Sequence, residues 1–137
     1  MMDSLVIYPG WKFVSHADFP MLHQVNSKGI ISVYVFPTLA LTVLTVIMIW
    51  KRPSQIPRHW VILAFSCELI IWISSVFIQI PIQFHLNTVK DEAALQRLMM
   101  TDWIRIIAWL IYIVVVSNMV IRILALVSKT RSAPQNV

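Results

Sequence analysis

Glu68 stands in the middle of the apolar run WVILAFSCELIIWISSVFIQIPI. An ionisable side chain in such a setting demands either a hydrogen-bonding partner or a chemical purpose. Two readings are open for it. A protonated carboxyl would tie two helices together; a titrating one would take up and release protons. Steps of three and four residues join Glu68, Trp72, Ser75, Gln79 and Gln83 into one helical stripe if Pro81 only kinks the chain. Similar steps join Tyr34, Thr38, Thr42 and Thr45, and likewise Asp102, Arg105, Trp109 and Tyr112. Polar stripes of this kind turn towards one another and away from lipid. By depth, Thr42, Thr45, Ser117 and Asn118 are the expected neighbours of Glu68.

The outer ends of the stripes add a second group. Tyr34, Gln79, Gln83, Asp102 and Arg105 fall at one level, with His23, Asn26 and His85 just above. An apolar floor with a few directed polar groups is the usual form of a small-molecule site. The alternative is ordinary interfacial polarity, with Arg105 paired to Asp102 or extended towards the headgroups. His16 and His59 carry no specific signal. His23 and His85 lack a carboxylate at ligand spacing, so no metal set is expected. Cys67 is the single cysteine, which leaves no intrachain disulfide and no CxxC motif. No Ser-His-Asp arrangement, glycine-rich phosphate loop or paired-carboxylate motif is visible. These residues do not identify a cofactor, which stays unknown at this point.

These residues require membrane helices to position them. The chain has 137 residues, 58% hydrophobic and only 12% charged, a balance that soluble domains of this length do not carry. Its mean hydropathy of +0.76 points the same way. Three runs approach the roughly 20 apolar residues that a helix needs to cross a bilayer. They are Gly29–Trp50, Trp60–Ile82 and Trp103–Val127. Trp50, Trp60 and Trp103 stand where an interfacial belt would put them. The expected fold is an all-α integral membrane protein, an up-down bundle of three transmembrane helices (29–50, 60–82, 103–127) forming one membrane domain over 29–127. Residues 1–28 form an external interfacial segment, because Pro9, Gly10 and Pro20 among its aromatics should prevent a long helix. The stretch DEAALQRLMM (91–100) reads as a separate short external helix. No cleavable signal peptide is expected at the start, where Asp3 interrupts the region and no basic stretch precedes an apolar core.

The net charge of +5 does not indicate nucleic acid, because the basic residues flank apolar runs and do not cover one face. They report topology. Lys51, Arg52 and Arg58 in the first loop face no acid, and Lys129 and Arg131 lie in the tail. The positive-inside rule then places that loop and the tail (128–137) in the cytoplasm, in a plasma (inner) membrane.

The runs YPGWKF, FPMLHQVNSKGI, QIPIQFHL and TDWIRIIAW resemble small bacterial membrane proteins of unknown function that are similar to the anthrone-oxygenase-like four-helix family. Tyr8 with Pro9, His23, Pro81 with Gln83, and Trp103 with Arg105 stand at the family's motif positions. The resemblance implies a fourth helix ahead of Tyr8, which would be missing here and supplied by another subunit or an earlier start. Asn26 and Gln83 replace residues that the family usually has as His, or as His or Asn. The resemblance also implies an oxygenase acting on a quinone-like or polyketide substrate. His23 would be its base, Arg105 its oxyanion stabiliser, and Asn26, Gln79 and Gln83 would orient the substrate, with Tyr34, Trp103, Trp109 and Tyr112 lining the site. Two other functions compete. The chain could be an accessory subunit of a membrane complex or a homo-oligomer, with partner helices satisfying the stripes. It could also be a proton-coupled small transporter using Glu68.

Overall fold

The computed structural model describes residues 8–131. The expectation about a signal peptide falls largely on residues 1–7, outside the described part, and the tail beyond 131 lies outside it as well. The described chain is all-helical. It runs α1 (Tyr8–Trp11), α2 (Phe19–Lys51), α3 (Arg58–Ser74), a π-helical turn (Ser75–Gln79), α4 (Ile80–Leu86) and α5 (Glu92–Arg131). Three stretches are long and apolar enough to cross a membrane: Val33–Lys51, Arg58–Leu86 and Glu92–Ser128. The protein is therefore an all-α membrane bundle.

Two boundaries differ from those read in the sequence. The first membrane helix begins at Phe19 instead of Gly29, so residues 19–28 belong to a helix and only the segment before them is irregular. Pro20 is the reason. It occupies the first turn of α2, where no backbone donor is needed and its fixed φ suits the helix, so it starts the helix instead of breaking it. The second difference is at the other end. The separate external helix expected over 91–100 is the beginning of α5, which continues without a break for 40 residues. No glycine or proline falls between Glu92 and Ser128 to interrupt it. Asp91 sets the start, its Oδ1 accepting the backbone N–H groups of Ala93 (2.9 Å) and Ala94 (3.2 Å).

Where a kink at Pro81 was expected, the middle span has a π-helical turn just before it. Proline cannot accommodate the carbonyl four residues earlier, which belongs to Phe77. The chain widens there into the π turn, where the Ile80 N–H donates to Ser75 O, five residues back. The extra residue shifts the buried face. It follows Val61, Ala64, Glu68, Ile71 and Ser74, then skips to Gln79 and Leu86. A wide turn at this point keeps Gln79 facing inwards.

The seam between α3 and α5 is the main packing contact. Val61, Ala64, Cys67 and Ile71 interleave with Ala108, Tyr112, Val115 and Met119, and Ile56 closes the end beside the α2–α3 loop. A second cluster of Trp11, Phe19, Leu86, Leu95 and Leu98 closes the opposite end. The first span contributes least: Thr45 is the one buried residue of Val33–Lys51, against eight in Arg58–Leu86. Most large aliphatic side chains of the spans are exposed, as contact with lipid tails requires.

Candidate functional site

Three polar groups are stacked along the bundle. Midway along the apolar stretch, Glu68 is fully buried on α3. Thr45 of α2 donates to Glu68 Oε1 at 2.9 Å, and its hydroxyl lies 3.4 Å from the Tyr112 hydroxyl of α5. Three helices thus meet at one carboxyl. Trp72 Nε1 donates to Thr42 Oγ1 at 3.0 Å, and that hydroxyl donates in turn to Thr38 O. Trp109 packs edge-on to the Tyr112 ring at 5.5 Å. Of the expected neighbours of Glu68, Thr42 and Thr45 are in place, whereas Ser117 and Asn118 are exposed, with Asn118 Nδ2 turned back to Val114 O. Their positions on α5 lie off the buried face defined by Tyr112, Val115 and Met119, so the register supplies Tyr112 in their stead.

The second group lies above it, on the π turn. Gln79 Nε2 donates to Asp102 Oδ1 at 3.0 Å, Gln79 Oε1 accepts from Arg105, and Arg105 pairs with Asp102 at 3.2 Å. Gln79 and Asp102 are buried and Arg105 nearly so. Arg105 Nε is buried without a hydrogen-bond acceptor. The triad carries no net charge, and its guanidinium keeps a donor in reserve. Gln83 stands one turn further out and is half-buried.

The third group caps the end that bears the N-terminal segment. His23 is fully buried against Trp11 (ring centroids 4.7 Å apart) and Phe19 (5.5 Å). Its Nδ1 lies 2.7 Å from Asn87 Oδ1. With that oxygen as acceptor, Nδ1 is the donor, and Nε2 is buried without a hydrogen-bond partner. Lys90 reaches across to the carbonyls of Lys12 (3.0 Å) and Val14 (2.7 Å), fastening the N-terminal segment over the bundle. His85 pairs with Asp91 at 3.1 Å. The amides at the start of α5, led by that of Ala94, and then His85 hold the Asp91 carboxyl below the usual range. A groove of about 410 Å³ opens between α4 and the start of α5, lined by Pro81, Ile82, His85, Asp91, Ala93, Ala94 and Arg97.

The residues singled out in the sequence thus fall into separate places. Gln79, Asp102 and Arg105 come together, as do Glu68 and Tyr112. His23 and Arg105 do not share a centre. His23 is anchored at Asn87 and Arg105 at Gln79, roughly two helical turns or about 12 Å apart along the bundle. A base and an oxyanion stabiliser that far apart cannot act on the same reacting atoms. Trp103 points away from the bundle, 55% exposed, and does not line the site. Asn26 and Tyr34 stay half-buried on α2. Asn87 and Lys90 were missed in the sequence, because their partners lie more than sixty positions away and nothing local marks them. Comparison with known proteins returns no matching family model, no matching curated protein and no matching solved structure.

Proposed function

We propose that this chain is a plasma-membrane protein that binds a hydrophobic small molecule bearing a carbonyl or phenol oxygen, such as a quinone-like, polyketide or lipid compound, in its outer half. The carrying observation is Arg105. A guanidinium held at bilayer depth by Gln79 and Asp102 retains a buried Nε–H with no acceptor. Such a donor costs free energy until an oxygen meets it, and a neutral ligand oxygen can do so without upsetting the charge balance with Asp102. The separation of His23 from Arg105 favours binding over turnover at a single centre. In this reading the loop at residues 52–57 and the tail face the cytoplasm.

Quenching of intrinsic tryptophan fluorescence by a short-chain quinone, with protein in detergent or nanodiscs, tests the proposal. Wild type should bind, and Arg105→Gln should weaken binding about tenfold or more, the loss expected for a charge-assisted hydrogen bond. Equal affinity in the two proteins would overturn it. A second reading, a subunit completed by partner helices, is favoured by the slight burial of the first span. Native mass spectrometry showing a stable monomer would count against that reading.

A further inference from the structure

The opposite end of the bundle carries a different chemistry. No Asp or Glu occurs between residues 19 and 67 or between 103 and 137, whereas Lys51, Arg52, Arg58, Arg122, Lys129 and Arg131 all do. Both ion pairs among the described residues, His85 with Asp91 and Asp102 with Arg105, lie in the outer half. Arg122 is the unusual member. It sits within the apolar stretch Glu92–Ser128, six residues before its end, which is roughly 9 Å short of the helix's exit. Its guanidinium is held over the Trp60 ring, 5.0 Å from the centroid, so α5 places this cation against the first turn of α3. Arg58 and His59 belong to that same turn, and the His59 ring lies 6.4 Å from Trp60. Arg58, His59 and Arg122 are exposed, while Arg52 is turned back to donate to Ile56 O at 2.7 Å.

We propose that Arg122, cradled by Trp60, forms a binding site for the phosphate of an anionic phospholipid at the α3–α5 seam. A guanidinium below the helix exit that makes no ion pair with a carboxylate among the described residues is short of an anion. The headgroup phosphate of a lipid lies at that depth, and its acyl chains can run down the exposed aliphatic side chains of α3 and α5. Trp60 fixes the guanidinium plane, leaving its edge N–H groups for bidentate contact with phosphate oxygens. Basic residues gathered between helices on one side of a membrane recognise anionic headgroups in this way. This site is independent of the ligand proposed for Arg105.

Native mass spectrometry of the full chain tests the site, with detergent-purified protein titrated with phosphatidylglycerol or phosphatidylcholine. Wild type should retain phosphatidylglycerol preferentially. Arg122→Gln should lower that retention roughly fivefold, the worth of one interfacial cation, whereas Lys51→Gln, which removes a charge from the last turn of α2, should lower it much less. Should Arg122→Gln not yield folded protein, Trp60→Leu carries the same expectation, since it removes the cradle and leaves the charge. Equal retention of the two lipids by wild type, or equal losses in Arg122→Gln and Lys51→Gln, would overturn the proposal in favour of diffuse surface attraction.

Discussion

The hydroxyl of Thr45 does more for this bundle than its size suggests. It donates to the Glu68 carboxyl and lies against the Tyr112 hydroxyl, so one side chain links all three spans. Replacing it by valine keeps the volume and removes the donor. Thr45→Val should therefore lower the stability of the bundle by about 1 kcal/mol, the scale of an interhelical hydrogen bond in lipid, while Glu68→Gln, which preserves an acceptor for Thr45, should cost less. Unfolding in mixed micelles with increasing anionic detergent would measure both. A larger loss in Glu68→Gln than in Thr45→Val would show that the carboxyl itself, not the hydrogen bond, is what the structure requires. At this scale the sequence was legible in type: Glu68, Gln79 and Arg105 announce themselves because apolar runs surround them. Their partners were legible only in part, since Thr45 lies at the expected depth but Tyr112 replaces Ser117 and Asn118.

The widened turn at Ser75–Gln79 decides which face of the middle span carries the outer polar group. A regular α-helix would set Gln79 about 140° from Ser74 and about 80° from Ile71, although in line with Glu68. The π turn takes up that offset. Deleting Phe77, which is 74% exposed within the widened turn, should remove the added residue and leave Gln79 facing Asp102 and Arg105. Deleting Ile70, 45% exposed in the regular part, should turn everything after it by about 100° and dissolve the Gln79–Asp102–Arg105 group. Thermal stability in detergent distinguishes them: the first variant should melt near wild type and the second far below it. Similar melting of both would mean that the turn does not set the register. Pro81 was a visible signal for a distortion, but a kink and a π turn share that signal. The choice between them depended on what the neighbouring helices required of Gln79.

For the whole molecule, the two ends are organised on different principles. The end beside the α2–α3 loop is basic and held together by apolar packing around Ile56 and Trp60. The opposite end is fastened by side chains that reach backbone far along the chain. Lys90 is the main fastener, its ammonium shared between the Lys12 and Val14 carbonyls. Lys90→Met keeps the apolar stem and loses both bonds, so the N-terminal segment should loosen while the spans remain intact. Limited trypsin digestion should then cut after Lys12 several-fold faster than in wild type, with the helical content by circular dichroism unchanged. Unaltered cleavage would mean that Trp11 and Phe19 alone hold the segment down.

Composition and hydrophobic run length determined the membrane placement, the all-helical class and the three spans, because a bilayer admits few solutions for a short apolar chain. Periodicity further determined that the polar stripes face inwards, since lipid offers them nothing. Only the tertiary structure decided which members of those stripes meet. That depends on the relative axial shift of α3 and α5, on one added residue in a π turn, and on a proline that starts a helix instead of ending it. Each is a matter of a single residue's rotation or a turn's displacement, which short-range pattern does not encode. The same shifts separated His23 from Arg105 and brought Arg122 onto Trp60.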